Sequence, residues 1–263
     1  MPPQDDTQPN QRISRRRFLR RLAALGSGAA GLAAGAWGLS RLGASQTQTD
    51  EQAPRIVVVT STPAATPDNR PQIVGRADWG AAAPNHRARK EFGFYDAATN
   101  PEGWYTYAAD DLPASYQSVV VHHSVLYEAD DRSSLLEIQR THRVDRGWAD
   151  VGYHYFVGKT GTLYEGRDLR VRGAHVGGFN TGSVGVCLLG NYMVEQPAQV
   201  QIQAAQRLIN WLAVRLQLTH LAGHNAFNDD TVCPGDNLLP YLTQFATRAN
   251  LEQGTEGYIP PDA

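Results

Sequence analysis

The sequence predicts an α/β fold: a single domain in which helices flank a central mixed β-sheet. Short runs rich in valine alternate with segments of helical periodicity, which is the pattern of a sheet covered by helices. A chain of 263 residues is long enough to bury one core and to carry further segments outside it. Those further segments lie at the two ends of the chain.

The first 44 residues have the order basic, weakly apolar and small that is typical of a bacterial export signal. A twin-arginine pattern at Arg15 and Arg16 precedes an uncharged stretch over 22–39, and small residues follow around Ala44. That stretch is nearly long enough to span a bilayer, so both cleavage and retention as an anchor are open. We expect export by the twin-arginine route to an extracytoplasmic location, with a membrane involved only through a retained anchor.

Two segments are expected to be flexible. Residues 45–71 form a linker rich in Gln, Thr, Pro and Ala, with a short predicted strand at 56–59. Residues 251–263 form a polar tail that contains two glycines and two prolines. The folded domain is predicted between them, over 72–250.

Within the domain, the first clear strand is predicted over 118–124, where three valines lie between polar turns. A helix is predicted over 132–146, because apolar positions fall three and four apart and Gly147 closes the pattern. Two strand-like runs at 152–158 and 163–166 predict a hairpin, since the turn between them contains glycine. A further strand is predicted over 183–189, and the longest helix is predicted over 197–218 with its apolar residues on one stripe.

Without the leader the chain is acidic. From position 45 onward it holds 17 basic and 24 acidic residues, which gives a net charge of −7. Nucleic acid is therefore not an expected partner, because no basic stripe is available to neutralise phosphates. The two cysteines, Cys187 and Cys233, are too few for a disulfide framework, although one bridge between them stays open in an oxidising compartment. Cys187 lies in a predicted strand and is expected in the core.

Three segments supply candidate metal ligands. His122 and His123 end the valine-rich strand, His224 follows the longest helix, and Cys233 lies nine positions after His224. Neighbours on a strand point to opposite faces, so only one of the first two histidines can reach a shared site, and periodicity does not decide which. Two histidines and a cysteine are a donor set of catalytic zinc sites, which leave the fourth position for water.

Several ordered motifs between about 72 and 245 resemble one family. The chain is similar to peptidoglycan recognition proteins and type 2 N-acetylmuramoyl-L-alanine amidases, a family that includes amidase-type phage lysozymes. The matching motifs are IVGRADWG (73–80), VHHS (121–124), GYHYF (152–156), YEGR (164–167), GAH (173–175), FNTGSVGV (179–186) and the segment 223–235.

The resemblance implies a peptidoglycan recognition protein/amidase-like fold and a Zn²⁺ ion held by His122, His224 and Cys233. It further implies that Tyr153 lies beside the metal and that Thr231, two residues before the cysteine, joins it in catalysis. His123 then packs or faces solvent.

Three further residues, Arg167, His175 and Asn180, lie on segments that line the peptide-stem groove in the family, so the resemblance implies that they bind substrate. Asp168 and Leu169 stand where many animal members have Gly-Trp. The preference for diaminopimelate or lysine in the stem peptide therefore stays open. His142 and His154 are expected to be structural.

The function implied is zinc-dependent hydrolysis of the amide bond between N-acetylmuramic acid and the L-alanine of the stem peptide in peptidoglycan, by a protein expected to be a monomer. The alternative is a non-catalytic module that only binds peptidoglycan. Two other hypotheses are a cysteine hydrolase, with Cys233 as nucleophile and His224 as base, and a tethered interaction domain whose histidines are incidental.

Overall fold

The computed structural model describes residues 69–91, 93, 100 and 103–258. The predicted export signal, most of the predicted linker and the predicted strand at 56–59 lie outside these residues. Within them, no helix combines the length and the apolar character needed to cross a bilayer.

One sheet of seven strands organises the domain, in the order β1-β4-β3-β5-β2-β6-β7. Only the β3–β4 pair is antiparallel, so the sheet is mixed, as predicted. The strands are β1 (Ile73–Val74), β2 (Ser118–His123), β3 (Tyr155–Val157), β4 (Leu163–Glu165), β5 (Ser183–Leu188), β6 (His220–Gly223) and β7 (Glu252–Gln253).

Helices cover both faces of the sheet. They are α1 (Arg76–Trp79), α2 (Leu112–Ser115), α3 (Asp131–Arg140), α4 (Gln199–Leu216) and α5 (Leu239–Ala249). On one face, α4 and α5 pack against Val119 and Val121 of β2 in the larger apolar cluster. On the other face, α3 packs against Phe156 and Cys187. This arrangement confirms the α/β fold predicted from the sequence.

Packing on the two faces decides between the two adjacent histidines. His122 is the register partner of Cys187 on β5, and Cys187 is the register partner of Phe156 on β3. Register partners share a face, so His122 points to the side covered by α3. His123 points to the other side, where its Nδ1 accepts the N–H of Tyr192 at 3.2 Å.

The predicted helix over 132–146 divides into two parts. The first is α3, whose N-terminus is capped by Asp130, since its side chain accepts the N–H of Ser133 at 2.7 Å. The second is a π-helical turn, Thr141–Asp145, and Gly147 follows with a φ of +71°. The wider turn breaks the 3.6-residue period that the sequence pattern suggested.

Of the predicted flexible tail, 251–263, the structure describes residues 251–258, and these contain a strand, whereas 259–263 lie outside the described residues. Glu252 and Gln253 form β7 and pair in parallel with β6 at the edge of the sheet. Beyond them, the ring of Tyr258 lies 5.8 Å from the rings of both His220 and Phe227. β7 forms here because the outer edge of β6 has backbone N–H and C=O groups with which Glu252 and Gln253 pair.

Candidate metal centre

Parallel strand register brings the two candidate histidines together. Val121 on β2 is the partner of Gly223 on β6, so the next residues, His122 within β2 and His224 just after β6, lie side by side at the carboxyl edge of the sheet. In open α/β sheets this edge is the usual place for a ligand site. The loop after His224 then folds back, because the N–H of Asn225 donates to the carbonyl of Cys233 at 2.8 Å.

The three side chains converge as one donor set. Their ligating atoms, on His122, His224 and Cys233, all lie within 4.8 Å of one another. Sγ of Cys233 is 3.6 Å from Nδ1 of His122, and the two imidazole centroids are 4.7 Å apart. Tetrahedral zinc, with bonds of about 2.0 Å to nitrogen and about 2.3 Å to sulfur, places its donors about 3.5 Å apart. The donor set therefore fits zinc.

Burial fixes the charge state of the imidazoles. His122 is fully buried, and desolvation together with the neighbouring His175 and His224 holds its pKa well below the ordinary value. Burial also lowers the pKa of half-buried His224. Both rings are neutral at pH 7, which is the form that binds a metal ion.

Two features of the surroundings shift the pKa of the Cys233 thiol in opposite directions. Burial raises its pKa to about 12, and the backbone N–H of His123, which faces the sulfur, acts in the lowering direction. Without a cation the group is a neutral thiol at pH 7. A metal ion in the donor set deprotonates such a ligand outright, because the positive charge stabilises the thiolate.

The structure places both predicted catalytic residues beside the donor set. The ring of half-buried Tyr153 lies 5.0 Å from that of His122, and burial raises the pKa of the phenol well above its usual range. Tyr153 therefore keeps its proton and can donate it in a hydrogen bond. Thr231 contacts the cysteine loop directly, since its Oγ1 accepts the N–H of Cys233 at 3.2 Å.

Of the three residues that the resemblance placed in the groove, Arg167 and His175 are buried and Asn180 is half-buried. Only 1% of the Arg167 surface is exposed, and its guanidinium donates to both carboxylate oxygens of Glu91, at 2.7 and 3.0 Å. Arg167 thus forms a buried ion pair within the domain. Glu91 lies 76 positions away in the chain, and nothing in the sequence pattern pointed to it as the partner.

His175 lies on the side of the His122 ring that faces away from Cys233, and Asn180 contacts the backbone of His175. The His175 ring is 7% exposed, and its Nδ1 is 3.0 Å from Nε2 of His122. Oδ1 of Asn180 accepts the N–H groups of His175 and Val176, at 2.7 and 2.8 Å. These contacts hold the loop that carries His175. The half-buried Asn180 keeps part of its side chain accessible.

The other two histidines of interest are buried and bonded to the backbone, as the sequence predicted. Nδ1 of His142 accepts the N–H of Gly152 at 3.0 Å. Nδ1 of His154 accepts the N–H of Gly185 at 3.0 Å, and its Nε2 lies 3.0 Å from the carbonyl of Val171.

A separate cavity of about 1470 Å³ shares no residue with the donor set. Its walls include Arg70, Trp211 and Arg215, and the described residues that line it contain no histidine, cysteine or carboxylate. Its chemistry therefore does not match hydrolysis at a metal ion, and we assign the candidate site to the histidine–cysteine cluster.

Comparison with known proteins identifies the family of the chain. The family model of N-acetylmuramoyl-L-alanine amidase matches residues 112–236. The chain is 30% identical over 200 residues to peptidoglycan-recognition protein LB of Drosophila melanogaster, which covers 72% of this chain and 76% of that protein.

Solved structures give the same result. Wild-type Drosophila PGRP-LB superimposes with a TM-score of 0.51 at 28% identity, covering 67% of this chain and 93% of that chain. A PGRP-LB mutant in complex with tracheal cytotoxin gives a TM-score of 0.51 at 28% identity, over 68% and 96% of the two chains. The resemblance that the motifs indicated is thereby confirmed.

Proposed function

Because the chain belongs to the N-acetylmuramoyl-L-alanine amidase family, whose relatives include the peptidoglycan recognition proteins, we propose that it is a zinc-dependent amidase. Its substrate is peptidoglycan, and the bond it hydrolyses joins N-acetylmuramic acid to the L-alanine of the stem peptide. The observation that carries this proposal is the convergence of His122, His224 and Cys233 into a donor set of zinc geometry.

The proposed mechanism assigns each residue a task. His122, His224 and Cys233 would hold the ion, and a bound zinc would supply a Lewis acid for activating water and polarising the amide carbonyl. Tyr153 is a neutral phenol at pH 7, so it can donate a hydrogen bond to the carbonyl oxygen as negative charge develops there. The hydroxyl of Thr231 is a second donor of the same kind. By analogy with other such donors, each supplies about 3 kcal/mol.

A binding module is the second candidate function. One observation favours it: a structurally similar PGRP-LB mutant was solved in complex with tracheal cytotoxin. An amidase must also bind its substrate, so recognition of peptidoglycan fragments fits both functions. A complete donor set with Cys233 favours the enzyme, because recognition alone needs no metal ligands.

Digestion of purified sacculi tests the proposal. The full-length protein is incubated with sacculi, with and without a chelator, and the soluble products are analysed by mass. We expect free stem peptides with an L-alanine amino terminus, which disappear when the chelator is present. Sedimentation with sacculi but no release of peptides supports the binding module. Release that survives the chelator and is lost in Cys233→Ser supports a cysteine hydrolase.

Defined muropeptides extend the same assay to specificity. Parallel digestions of diaminopimelate-type and lysine-type stems compare the two candidate substrates directly. The ratio of their initial rates measures the preference for diaminopimelate or lysine. Equal rates would show that the protein does not discriminate between these two residues at the third position of the stem.

We also propose that the domain works outside the cytoplasmic membrane, where peptidoglycan lies. The twin-arginine route carries folded cargo, so zinc can enter the site before export. Replacing the pair by Arg15→Lys/Arg16→Lys should retain the protein in the cytoplasm, as measured by cell fractionation. Unchanged export would exclude that route.

A further inference from the structure

The two ring nitrogens of His122 have different partners. Nδ1 faces the sulfur of Cys233 at 3.6 Å, on the side of the donor set. Nε2 faces away from it, 3.0 Å from Nδ1 of His175. Two nitrogens at this distance share one hydrogen, so either His122 or His175 is the donor. Which of them donates decides whether Nδ1 of His122 has a free lone pair.

A backbone carbonyl settles the direction. Nε2 of His175 lies 3.3 Å from the carbonyl oxygen of Ser183, which can only accept. Nε2 of His175 therefore carries the hydrogen of that neutral ring, and its Nδ1 is left as an acceptor. His122 must then donate from Nε2, which leaves the lone pair of its Nδ1 facing Cys233.

The surroundings of His175 keep its ring in this orientation. Asn180 holds the backbone at 175 and 176 through its side-chain oxygen. Two neighbouring glycines make space for the ring. A Cβ at Gly173 would lie 2.5 Å from the imidazole, and a Cβ at Gly185 would lie 2.6 Å from it. These contacts support a relay of hydrogen bonds from the carbonyl of Ser183 through His175 to His122.

We propose that His175 is a positioning residue of the metal centre. It holds His122 in the tautomer that presents a lone pair to the ion, and the carbonyl of Ser183 in turn fixes the tautomer of His175. The inference rests on the proposed function, because it assumes that zinc is the ion. Partners of this kind typically change metal affinity by about 10- to 100-fold when they are removed.

Zinc affinity gives the first test. The full-length chain and its His175→Leu and His175→Asn variants compete for zinc with a chromophoric chelator. We expect His175→Leu to bind about 10- to 100-fold more weakly. We expect His175→Asn to recover part of the loss, because its side-chain oxygen lies near the position of Nδ1 and can accept the hydrogen from His122.

A matched control uses another buried histidine. The Nδ1 of His220 lies 2.8 Å from the hydroxyl oxygen of Thr219, its Nε2 lies 3.1 Å from the carbonyl of Glu256, and its ring packs on Tyr258. His220→Asn should bind zinc as tightly as the parent. A loss equal to that of His175→Leu would mean that removing any buried histidine disturbs the site.

The second test reads the tautomer in zinc-free protein. Nitrogen-15 NMR of the imidazoles should show His122 as the Nε2–H tautomer in the parent and as a mixture of the neutral Nδ1–H and Nε2–H tautomers in His175→Leu. The same tautomer in both proteins, together with equal zinc affinity, would overturn the proposal. This readout needs no peptidoglycan, so a parent that shows the Nε2–H tautomer but releases no stem peptides would refute the hydrolase and leave the relay standing.

Discussion

At the scale of single residues, the two cysteines have different surroundings. Cys187 lies in β5 among apolar side chains, whereas Cys233 faces Nδ1 of His122. We predict that Cys233→Ser folds but loses bound zinc and peptidoglycan hydrolysis, because serine is a poor zinc ligand. Metal analysis and product release measure the two losses.

Cys187 supplies the control for that substitution. Cys187→Ala removes the other buried cysteine and should keep zinc and activity, at a modest cost in stability. A Cys233→Ser protein that hydrolyses sacculi at the parental rate would remove the thiol from the mechanism. Loss of activity in Cys187→Ala as well would point to a shared requirement, such as a disulfide.

Replacing Tyr153 distinguishes a role in the reaction from a role in metal binding. We predict that Tyr153→Phe keeps a full complement of zinc and turns over about 100-fold more slowly, because one donor to the developing negative charge is lost. The ring contact with His122 persists in phenylalanine, so the donor set keeps its packing. Parental turnover in this variant would limit Tyr153 to a packing role.

At the scale of elements, a helix or strand could be predicted from the sequence where its periodicity or its turn residues were clear. The valines of β2, the hairpin of β3 and β4, and α4 were all predicted, because each carries a clear periodicity or a glycine turn. The face of β2 that holds the metal ligand was not predictable, since both faces are buried and only pairing with β5 distinguishes them.

Other elements escaped prediction for a different reason. β6 has only four residues, His220–Gly223, and none is β-branched, so it lacks a strand pattern. Val200 is an apolar residue of α4, yet it is 47% exposed, because it lies on the same helix face as the exposed Gln203 and Arg207. The metal ligands themselves came from the motif resemblance, since spacing alone was too weak.

The turn between β6 and the cysteine loop depends on one glycine. A Cβ at Gly223 would lie 2.7 Å from Oδ1 of Asn225 and 2.8 Å from Cδ of Pro234. We predict that Gly223→Ala shifts the loop between His224 and Cys233 and lowers turnover about 100-fold, because displacements of about 1 Å have such effects. Product release from sacculi measures it.

Gly177 provides the comparison for this variant. A Cβ there would meet no atom within 4 Å, so Gly177→Ala should retain parental turnover and zinc. If Gly223→Ala behaves in the same way, the close approach of Pro234 to the strand end does not control the site.

At the scale of the whole molecule, a buried ion pair joins distant parts of the chain. Arg167 binds the carboxylate of Glu91 and also donates to the carbonyls of Val151 and Arg172. We predict that Arg167→Met lowers the free energy of unfolding by about 3–5 kcal/mol, because Glu91 is left buried without its partner. Urea denaturation measures the change.

A second substitution identifies the cause. Adding Glu91→Leu to Arg167→Met removes the unpaired charge and should restore part of the lost stability. If Arg167→Met instead weakens muropeptide binding and leaves stability unchanged, the guanidinium acts in the groove, as the family resemblance implied.

Buried neutral histidines make the fold sensitive to acid. Burial lowers the pKa of His142 to about 3 and that of His154 to about 4. The unfolded chain takes up protons on these rings as the pH falls below 6.5, while the folded rings stay neutral, so stability is lost from pH 6.5 downward. Between pH 6.5 and 5, each ring should cost about 2 kcal/mol of unfolding free energy.

His142→Asn tests the size of this effect. Oδ1 of asparagine can accept the N–H of Gly152 in place of Nδ1, and it does not titrate. Chemical denaturation of zinc-free protein at pH 6.5 and 5 should show a loss about 2 kcal/mol smaller in this variant than in the parent. An identical pH dependence would mean that other groups dominate.

The outermost strand sets a practical limit on shortening the chain. Cutting at residue 250 would remove β7 and leave the backbone of β6 bare, which invites pairing with another molecule. It would also remove Tyr258, whose ring rests on Phe227 in the loop that leads from His224 to Cys233. A shortened chain that keeps these contacts should therefore extend at least to residue 258.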